Sequence, residues 1–220
     1  MSFQQRRRIP WLGCVLACVL AGGVPAAAET TYHVPGDFET ISAAMDSAQS
    51  GDVILVGPGT YQESLLFSES SGSGLIVRST EGSGATTVSY GEEGNVNEAV
   101  VTFQRCSNST QFIGFSIDGR GVARRGILTN SDSKPVLVDI RVNGCEYGIA
   151  AHRGSRPFVR DVRTANSVTA GLFISGGSMD VKDSQVTSSE KFGVYIGNAS
   201  EPVRLRNVTV NGNGQVGLQA

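Results

Sequence analysis

One phrase, a glycine followed by an aliphatic residue, a variable residue and a second small or aliphatic one, returns along this chain at almost equal intervals. It stands at Gly126 (GILTN), Gly148 (GIAAH), Gly171 (GLFIS), Gly193 (GVYIG) and Gly217 (GLQA), so successive glycines are 22, 23, 22 and 24 residues apart. Between them a second phrase recurs as LVDIRVN at 137–143, VRDVRTA at 159–165, VKDSQVT at 181–187 and LRNVTVN at 205–211. Each repeat holds two or three short runs in which apolar and variable residues alternate, with turns between them and no stretch long enough for a helix. A short period built of strands suits one coil of a solenoid whose strands stack in parallel on the next coil, about 4.8 Å away. The fold class expected is all-β, a single-stranded parallel β-helix of about seven coils.

Alternation assigns the faces. Ile127, Ile149, Leu172, Val194 and Leu218 form one inward ladder, and Thr129, Ala151, Ile174 and Ile196 the next. Leu137, Val159, Val181 and Leu205 make a third, and Val142, Thr164, Val186 and Val210 a fourth. Ser184 interrupts the apolar position shared with Ile140, Val162 and Val208, so its hydroxyl is expected to bond to backbone. The column Asp139, Asp161, Asp183, Asn207 is placed between two strands as a structural turn ladder, because Asx side chains bond their own backbone and tolerate left-handed geometry. That local chemistry favours the turn ladder over a catalytic or calcium role.

The first residues differ from the repeats. Arg6, Arg7 and Arg8 precede an apolar run ending in Ala26-Ala27-Ala28, which reads as a signal peptide over residues 1–28, with lipidation at Cys18 as the lesser alternative. Trp11 to Val24 is too short to span a bilayer, so no transmembrane segment is expected after cleavage, and the protein is placed in the secreted or periplasmic space. Residues 29–52 are read as an N-terminal cap, with Ile41, Ala44, Met45 and Ala48 on one face of an amphipathic helix closing near Ser50-Gly51. Residues 53–220 are read as coils, with a surface loop in the Gly/Ser/Glu-rich stretch 74–97. Cleavage leaves only Cys106 and Cys145, in different turns and expected as two free buried thiols. The chain stops at GLQA without a closing segment, so the 220 residues are expected to be the front of a longer protein.

The stretch FETISAAMDSAQSGDVILVGPGTYQESLLF at 38–67, followed by glycine-phased coils, resembles the right-handed parallel β-helix proteins of the pectin lyase-like superfamily. GTYQE at 59–63 is similar to the Gly-x-Tyr-x-Glu element of pectin esterases. The Gln-Asp-Thr, Asp-Phe-x-Phe-Gly and Leu-Gly-Arg-x-Trp segments of those esterases are missing, as are the acidic clusters of polygalacturonases and the Asp-His and Arg-x-Pro-x-x-Arg signatures of pectate lyases. The resemblance thus implies a right-handed β-helix with a short capping helix, and carries no catalytic residue over.

Outward positions are where function would be read. Phe173 and Tyr195 occupy one outward column on adjacent coils, with Leu128, Ala150 and Gln219, and would form a flat aromatic strip of the kind that stacks on sugar rings. Scattered exposed apolars, or rings covered by a loop or partner, are the commoner case for such positions. His152 lies in the neighbouring column, near Arg153 and Arg156, and a single histidine is more often structural than catalytic. A second outward column runs Val138, Arg160, Lys182, Arg206, flanked by Arg141 and Arg163. Two cations one rung apart repel by ~0.9 kcal/mol even in water, so the column attracts anions, either the protein's own carboxylates or the uronates of an acidic glycan. In a lyase of this fold an Arg or Lys removes the proton beside a uronate carboxyl while another cation neutralises it, and Arg160, Arg163 and Lys182 are the candidates for those roles.

Residues 29–97 hold ten acids and one base, and residues 98–220 ten acids and fourteen bases, so the repeats are the basic part of the chain. No metal site or cofactor motif is found, and calcium enters only by analogy with the fold. The expected function is polysaccharide-directed, the binding or processing of an acidic glycan; the alternative is a non-enzymatic surface or adhesive scaffold. Substrate-binding candidates are Phe173, Tyr195, His152 and Arg206. Expected partners are an acidic polysaccharide, no nucleic acid, and another chain through an end-to-end or face contact.

Overall fold

The computed structural model describes residues 29–91 and 99–220; the signal peptide read at 1–28 lies outside them, as does part of the loop placed at 74–97. The chain enters with β1 (Thr31–Val34), the helix α1 (Ile41–Ser47), β2 (Val53–Val56), β3 (Gly59–Gln62), β4 (Leu65–Phe67), β5 (Ile76–Ser79), β6 (Thr86–Ser89) and β7 (Ala99–Gln104). It continues as β8 (Gln111–Asp118), β9 (Arg125–Asn130), β10 (Val136–Asn143), β11 (Tyr147–His152), β12 (Phe158–Ala165), β13 (Ala170–Ser175), β14 (Asp180–Thr187), β15 (Phe192–Gly197), β16 (Arg204–Asn211) and β17 (Val216–Gln219). All pairing between these strands is parallel and runs from coil to coil: one sheet is ordered β1-β2-β5-β8-β10-β12-β14-β16, the other β4-β7-β9-β11-β13-β15-β17. The first sheet is eight rungs deep rather than seven, because β1, which the sequence reading assigned to the cap, pairs in register with β2.

The assigned interior holds. Ile127, Ile149, Leu172 and Val194 are buried, as are Leu137, Val159 and Val181, while Leu218 on the last rung is 51% exposed. Ser184 is buried where its column is otherwise apolar; its hydroxyl donates to the Lys182 carbonyl at 2.8 Å and accepts from the Val162 amide at 3.1 Å, so no polar atom is stranded. The early coils are filled by rings, Phe67 on Phe103 at 4.5 Å and Phe112 on Phe115 at 4.3 Å, and the later ones by aliphatic residues.

Glycine recurs because of close approach, not because of φ. A methyl group on Gly171 would collide with Val186 and lie 2.6 Å from the Thr164 hydroxyl oxygen; on Gly126 or Gly193 it would strike Val142 or Val210. None of these glycines has a positive φ. The Val/Thr column of one sheet therefore fills the place where the other sheet's Cβ atoms would be, and the two phrases of the repeat are two halves of one contact.

Left-handed backbone is concentrated at three other columns. β8, β10, β12, β14 and β16 each bend at the fourth residue, at Gly114 (φ +81), Asp139 (+51), Asp161 (+52), Asp183 (+51) and Asn207 (+51). The aspartates were expected between strands; they are bends inside continuous eight-residue strands, since the ladder resumes immediately on either side. A second corner runs through Gly144, Asn166, Ser188 and Gly212, a third through Arg105, Ser131, Arg153, Gly176 and Asn198.

The helix is shorter than expected, ending at Ser47 with Ala48 as its cap, and buries Ile41, Ala44 and Met45 against the first coils. Glu63 of the GTYQE element explains its placement. Its carboxylate accepts from the Ile41 and Ser42 amides, each at 2.9 Å, and from the Ser42 hydroxyl at 2.6 Å, satisfying amides that the helix itself leaves unpaired.

Cys106 and Cys145 are free and buried, and burial pushes their thiols up to about 11 and about 12. The native protein is expected to resist iodoacetamide at mildly alkaline pH and to take up two equivalents at these positions once unfolded, read by mass spectrometry. Gly171→Ala is expected to destabilise the fold by about 1–3 kcal/mol in urea unfolding. Gly217→Ala is expected to be far milder, since the nearest atom to its added methyl is 3.7 Å away.

Candidate functional site

Alternation along the bent strands puts two cationic columns on the outside of the first sheet. Val138, Arg160, Lys182 and Arg206 are direct neighbours across β10, β12, β14 and β16, and Arg141 and Arg163 are neighbours on the other side of the bend. The bend residues lie between the two columns. Their side chains are largely engaged: Asp139 accepts from the Ser83 amide at 3.0 Å and hydroxyl at 2.6 Å, and Asp183 accepts from the Asn207 amide group at 2.8 Å. That bond, together with the nearby Lys182 and Arg160 charges, holds the Asp183 carboxyl below its ordinary value.

The cations divide into two groups. Arg206 reaches both oxygens of Asp180 at 2.8 and 3.0 Å, Lys182 lies 3.6 Å from Asp183, and Arg156 pairs with Glu201 at 2.7 Å. Arg141, Arg160 and Arg163 are exposed, and among the described residues none of them makes an ion pair. Self-pairing thus accounts for the end of the row and leaves its middle with three guanidinium groups that make no ion pair among the described residues, beside the bend carboxylates Asp139, Asp161 and Asp183. Such an open, charged face can hold anions; the two candidate bases Arg160 and Lys182 stand on adjacent rungs of it, and Arg163 lies across the bend from Arg160. Among the described residues no group of three or more His, Cys, Asp or Glu side chains could hold a metal ion.

The second sheet carries the aromatic column, and here the structure corrects the flat strip. Phe173 and Tyr195 are half-buried and stacked on each other, centroids 5.1 Å apart and planes 9° apart. Rings lying side by side in one plane could not approach so closely, so each covers a face of the other and edges point outward. Tyr147 lies 4.4 Å from Phe173 on its other flank, and Phe192 lies 5.5 Å from Tyr195. Leu128 and Ala150, expected to be exposed in this column, are buried and form with Ala99 a second apolar cluster against which Tyr147 and Phe173 pack. The sequence reading missed Tyr147 and Phe192, whose signal is their place immediately before the repeat glycine. It also missed Gly114, which fills the bend column one coil before Asp139: FIGFSID aligns with LVDIRVN, and glycine there, at φ +81, relieves a tight approach to the loop at 82, where a Cβ would lie 3.1 Å from the Gly82 Cα.

His152 borders this cluster, 5.5 Å from the Phe173 ring, with Nδ1 3.2 Å from the Ser175 carbonyl and Nε2 buried without a hydrogen-bond partner among the described residues. Burial, with the charges of Arg125, Arg153 and Arg124, lowers its pKa although the Ser175 carbonyl opposes the shift. The neutral ring then carries its proton on Nδ1, donated to that carbonyl.

These features define a class, a parallel solenoid with small-residue contacts inside and a cationic and an aromatic column outside. The chain belongs to the family described as right handed beta helix region, which residues 65–220 match. Among solved structures it is similar to a pectin methylesterase crystallised in complex with a hexasaccharide, at 16% identity and a TM-score of 0.54, over 80% of this chain and 62% of that one. It is also similar to a pectin methylesterase from Erwinia chrysanthemi, at 15% identity and a TM-score of 0.40, over 79% of this chain and 54% of that one. At 16% identity the first likeness shows the fold alone, and the chain spans about 62% of the length of that enzyme. No curated protein sequence matches it.

A histidine whose native pKa is depressed takes up its proton later than the unfolded chain does. Stability is therefore present in full above about pH 6.5 and lost as the pH falls below it. Chemical denaturation midpoints are expected to drop on acidification from pH ~7 to ~5, with a smaller drop in His152→Gln.

Proposed function

We propose that the protein is an exported polysaccharide-binding solenoid that holds an acidic glycan along the outer face of its first sheet. The observation that carries this reading is the trio Arg141, Arg160 and Arg163, exposed and without an ion pair among the described residues, set in strand register beside Lys182 and Arg206. A guanidinium presents parallel N–H donors that match a carboxylate, and the same face offers them on successive rungs about 4.8 Å apart, comparable to the advance of one sugar unit. A flexible polyanion can thus meet several cations at once, each contact weak by itself. The similarity in fold to a pectin methylesterase that accommodates a hexasaccharide supports a saccharide ligand. Export is proposed from the Arg-rich and apolar first residues; among the described residues no helix is long and apolar enough to cross a membrane.

The aromatic column plays a lesser part in this reading. Its rings offer edges rather than faces, which suits apolar packing better than sugar stacking.

Binding to immobilised polygalacturonate is expected to weaken steadily as salt rises, because the contacts are exposed charges. Charge reversal in Arg160→Glu and Arg163→Glu is expected to weaken it about tenfold each, with the urea midpoint unchanged, and no unsaturated uronate should accumulate in an ultraviolet assay. Salt-independent binding, or binding that survives both reversals, would discard the proposal.

A further inference from the structure

One coil departs from the bend that the later ones share. β5 and β6 pair with the two halves of β8, Arg78 opposite Ile113 and Thr87 opposite Ser116. Where β8 turns through Gly114 and Phe115 alone, the earlier coil inserts residues 80–85. The inserted loop folds over the later coils: the Ser83 amide and hydroxyl donate to the Asp139 carboxylate, two rungs on, at 3.0 and 2.6 Å. The Ser116 hydroxyl, one rung on, donates to the Ser83 carbonyl at 2.7 Å. At the base of the loop the Glu81 and Gly82 amides donate to the Ser79 hydroxyl oxygen at 3.2 and 3.0 Å, and the Ser79 and Thr86 hydroxyls lie 2.7 Å apart. Ser79, Ser83 and Thr86 are all buried. Held at its base and at its tip, the loop is a fixed part of the surface.

That loop lies across the path of the cationic row. On one side of the bend the outward column reads Ser116, Arg141, Arg163, Gln185, Thr209 from coil to coil, and on the other Ile113, Val138, Arg160, Lys182, Arg206. Between the columns Asp161, Asp183 and Asn207 are exposed, whereas Asp139 is half-buried and Gly114 buried. In the first column the loop occupies the Ser116 hydroxyl; in the second the cations give way to half-buried Ile113 and Val138 on the rungs the loop overlies. The loop is also tall enough to obstruct. A Cβ on Gly84 would lie 3.9 Å from Nη1 of Arg141, so the loop backbone stands level with that guanidinium. Past the loop the charge reverses: Glu81 is exposed on it, and residues 29–97 hold ten acids against one base.

We infer that loop 80–85 is an end stop, and that the cationic face takes an acidic glycan by its terminal segment. The inference rests on the proposed glycan reading and adds how the chain is held. A polyanion running over Thr209, Gln185, Arg163 and Arg141 meets the loop backbone directly after Arg141, with negative charge behind it. An interior segment has to continue in both directions; a chain end does not. Arg141 then receives the last uronate, and Arg163 and Arg160 on the next rung the one before it. Asp139 is a positioning residue in this arrangement, because its carboxylate is bound to Ser83 and holds the wall in place beside Arg141.

The test counts bound protein on two polygalacturonate fractions that differ about tenfold in mean length, at equal uronate concentration, by isothermal titration. About one protein per chain is expected at saturation, hence about tenfold more protein per gram of the shorter fraction. Deleting residues 80–85 together with Ser79→Gly leaves Gly-Thr where β8 has Gly114-Phe115. This variant is expected to load several molecules along each long chain, so that the difference per gram shrinks. Equal capacity per gram for the wild type, or a cooperatively folded variant that still counts chain ends, would overturn the end stop. The wild-type count decides alone if the shortened chain does not fold. Absence of salt-sensitive binding to either fraction removes the glycan reading and the end stop together, whereas salt-sensitive binding that follows total uronate removes the end stop only.

Discussion

The contact on which the whole solenoid depends is the one between the repeat glycine and the Val/Thr column of the facing sheet. At Gly126, Gly171 and Gly193 the space a Cβ would occupy is taken by Val142, Val186 and Val210. The two sheets meet at this seam with no side chain on one side, and every coil must make the same seam for the next to sit on it in register. Interiors packed to this density accept few changes of volume, so the glycine repeats where other interior positions drift among Ile, Leu, Val, Ala and Thr. Backbone freedom is used elsewhere, at the three corner columns with positive φ, where Asp, Asn, Ser and Arg serve as well as glycine.

A rigid interior of this kind fixes what the outside can offer. In parallel rungs identical positions lie directly over one another, so each outward residue type becomes a column. Like charges stacked this way repel unless something intervenes, and the molecule answers in two ways. Asp180 and Asp183 neutralise Arg206 and Lys182, whereas Arg141, Arg160 and Arg163 are left to solvent. Stacked aromatics attract one another, so Phe173 and Tyr195 satisfy their own faces. The same geometry that leaves one column charged and open to solvent turns the other in on itself.

Variation enters through the corners. A corner can lengthen without disturbing the stack, because its ends are fixed by the strands on either side and closing a slightly longer loop costs little. Residues 80–85 do this between β5 and β6 and are tied down by Asp139 reaching back over Gly114; residues 119–124 do it between β8 and β9 and create a hollow beside Glu146. Coils are thus conservative in shape and individual at their edges, which is where a repeat scaffold can acquire specific contacts.

The period, the inward ladders, the buried role of Ser184 and the free thiols were legible in the linear order of residues, since alternation and spacing are enough to say which side chains share a face. The cationic column was legible for the same reason. The extra first rung was not, because β1 is four residues long and carries no repeat phrase; it is recognised as a rung only by its pairing with β2. Nor was the orientation of the rings, because stacking depends on the χ angles that neighbouring coils impose and not on which residue stands where. The sequence by itself determined a stack of coils and which residues face in or out, because strand periodicity is a local property. Only the tertiary structure decided which outward groups stay open to solvent, because the Arg206–Asp180 pair, the Phe173–Tyr195 stack and the mismatch of corner lengths arise between coils that lie more than twenty residues apart in the chain.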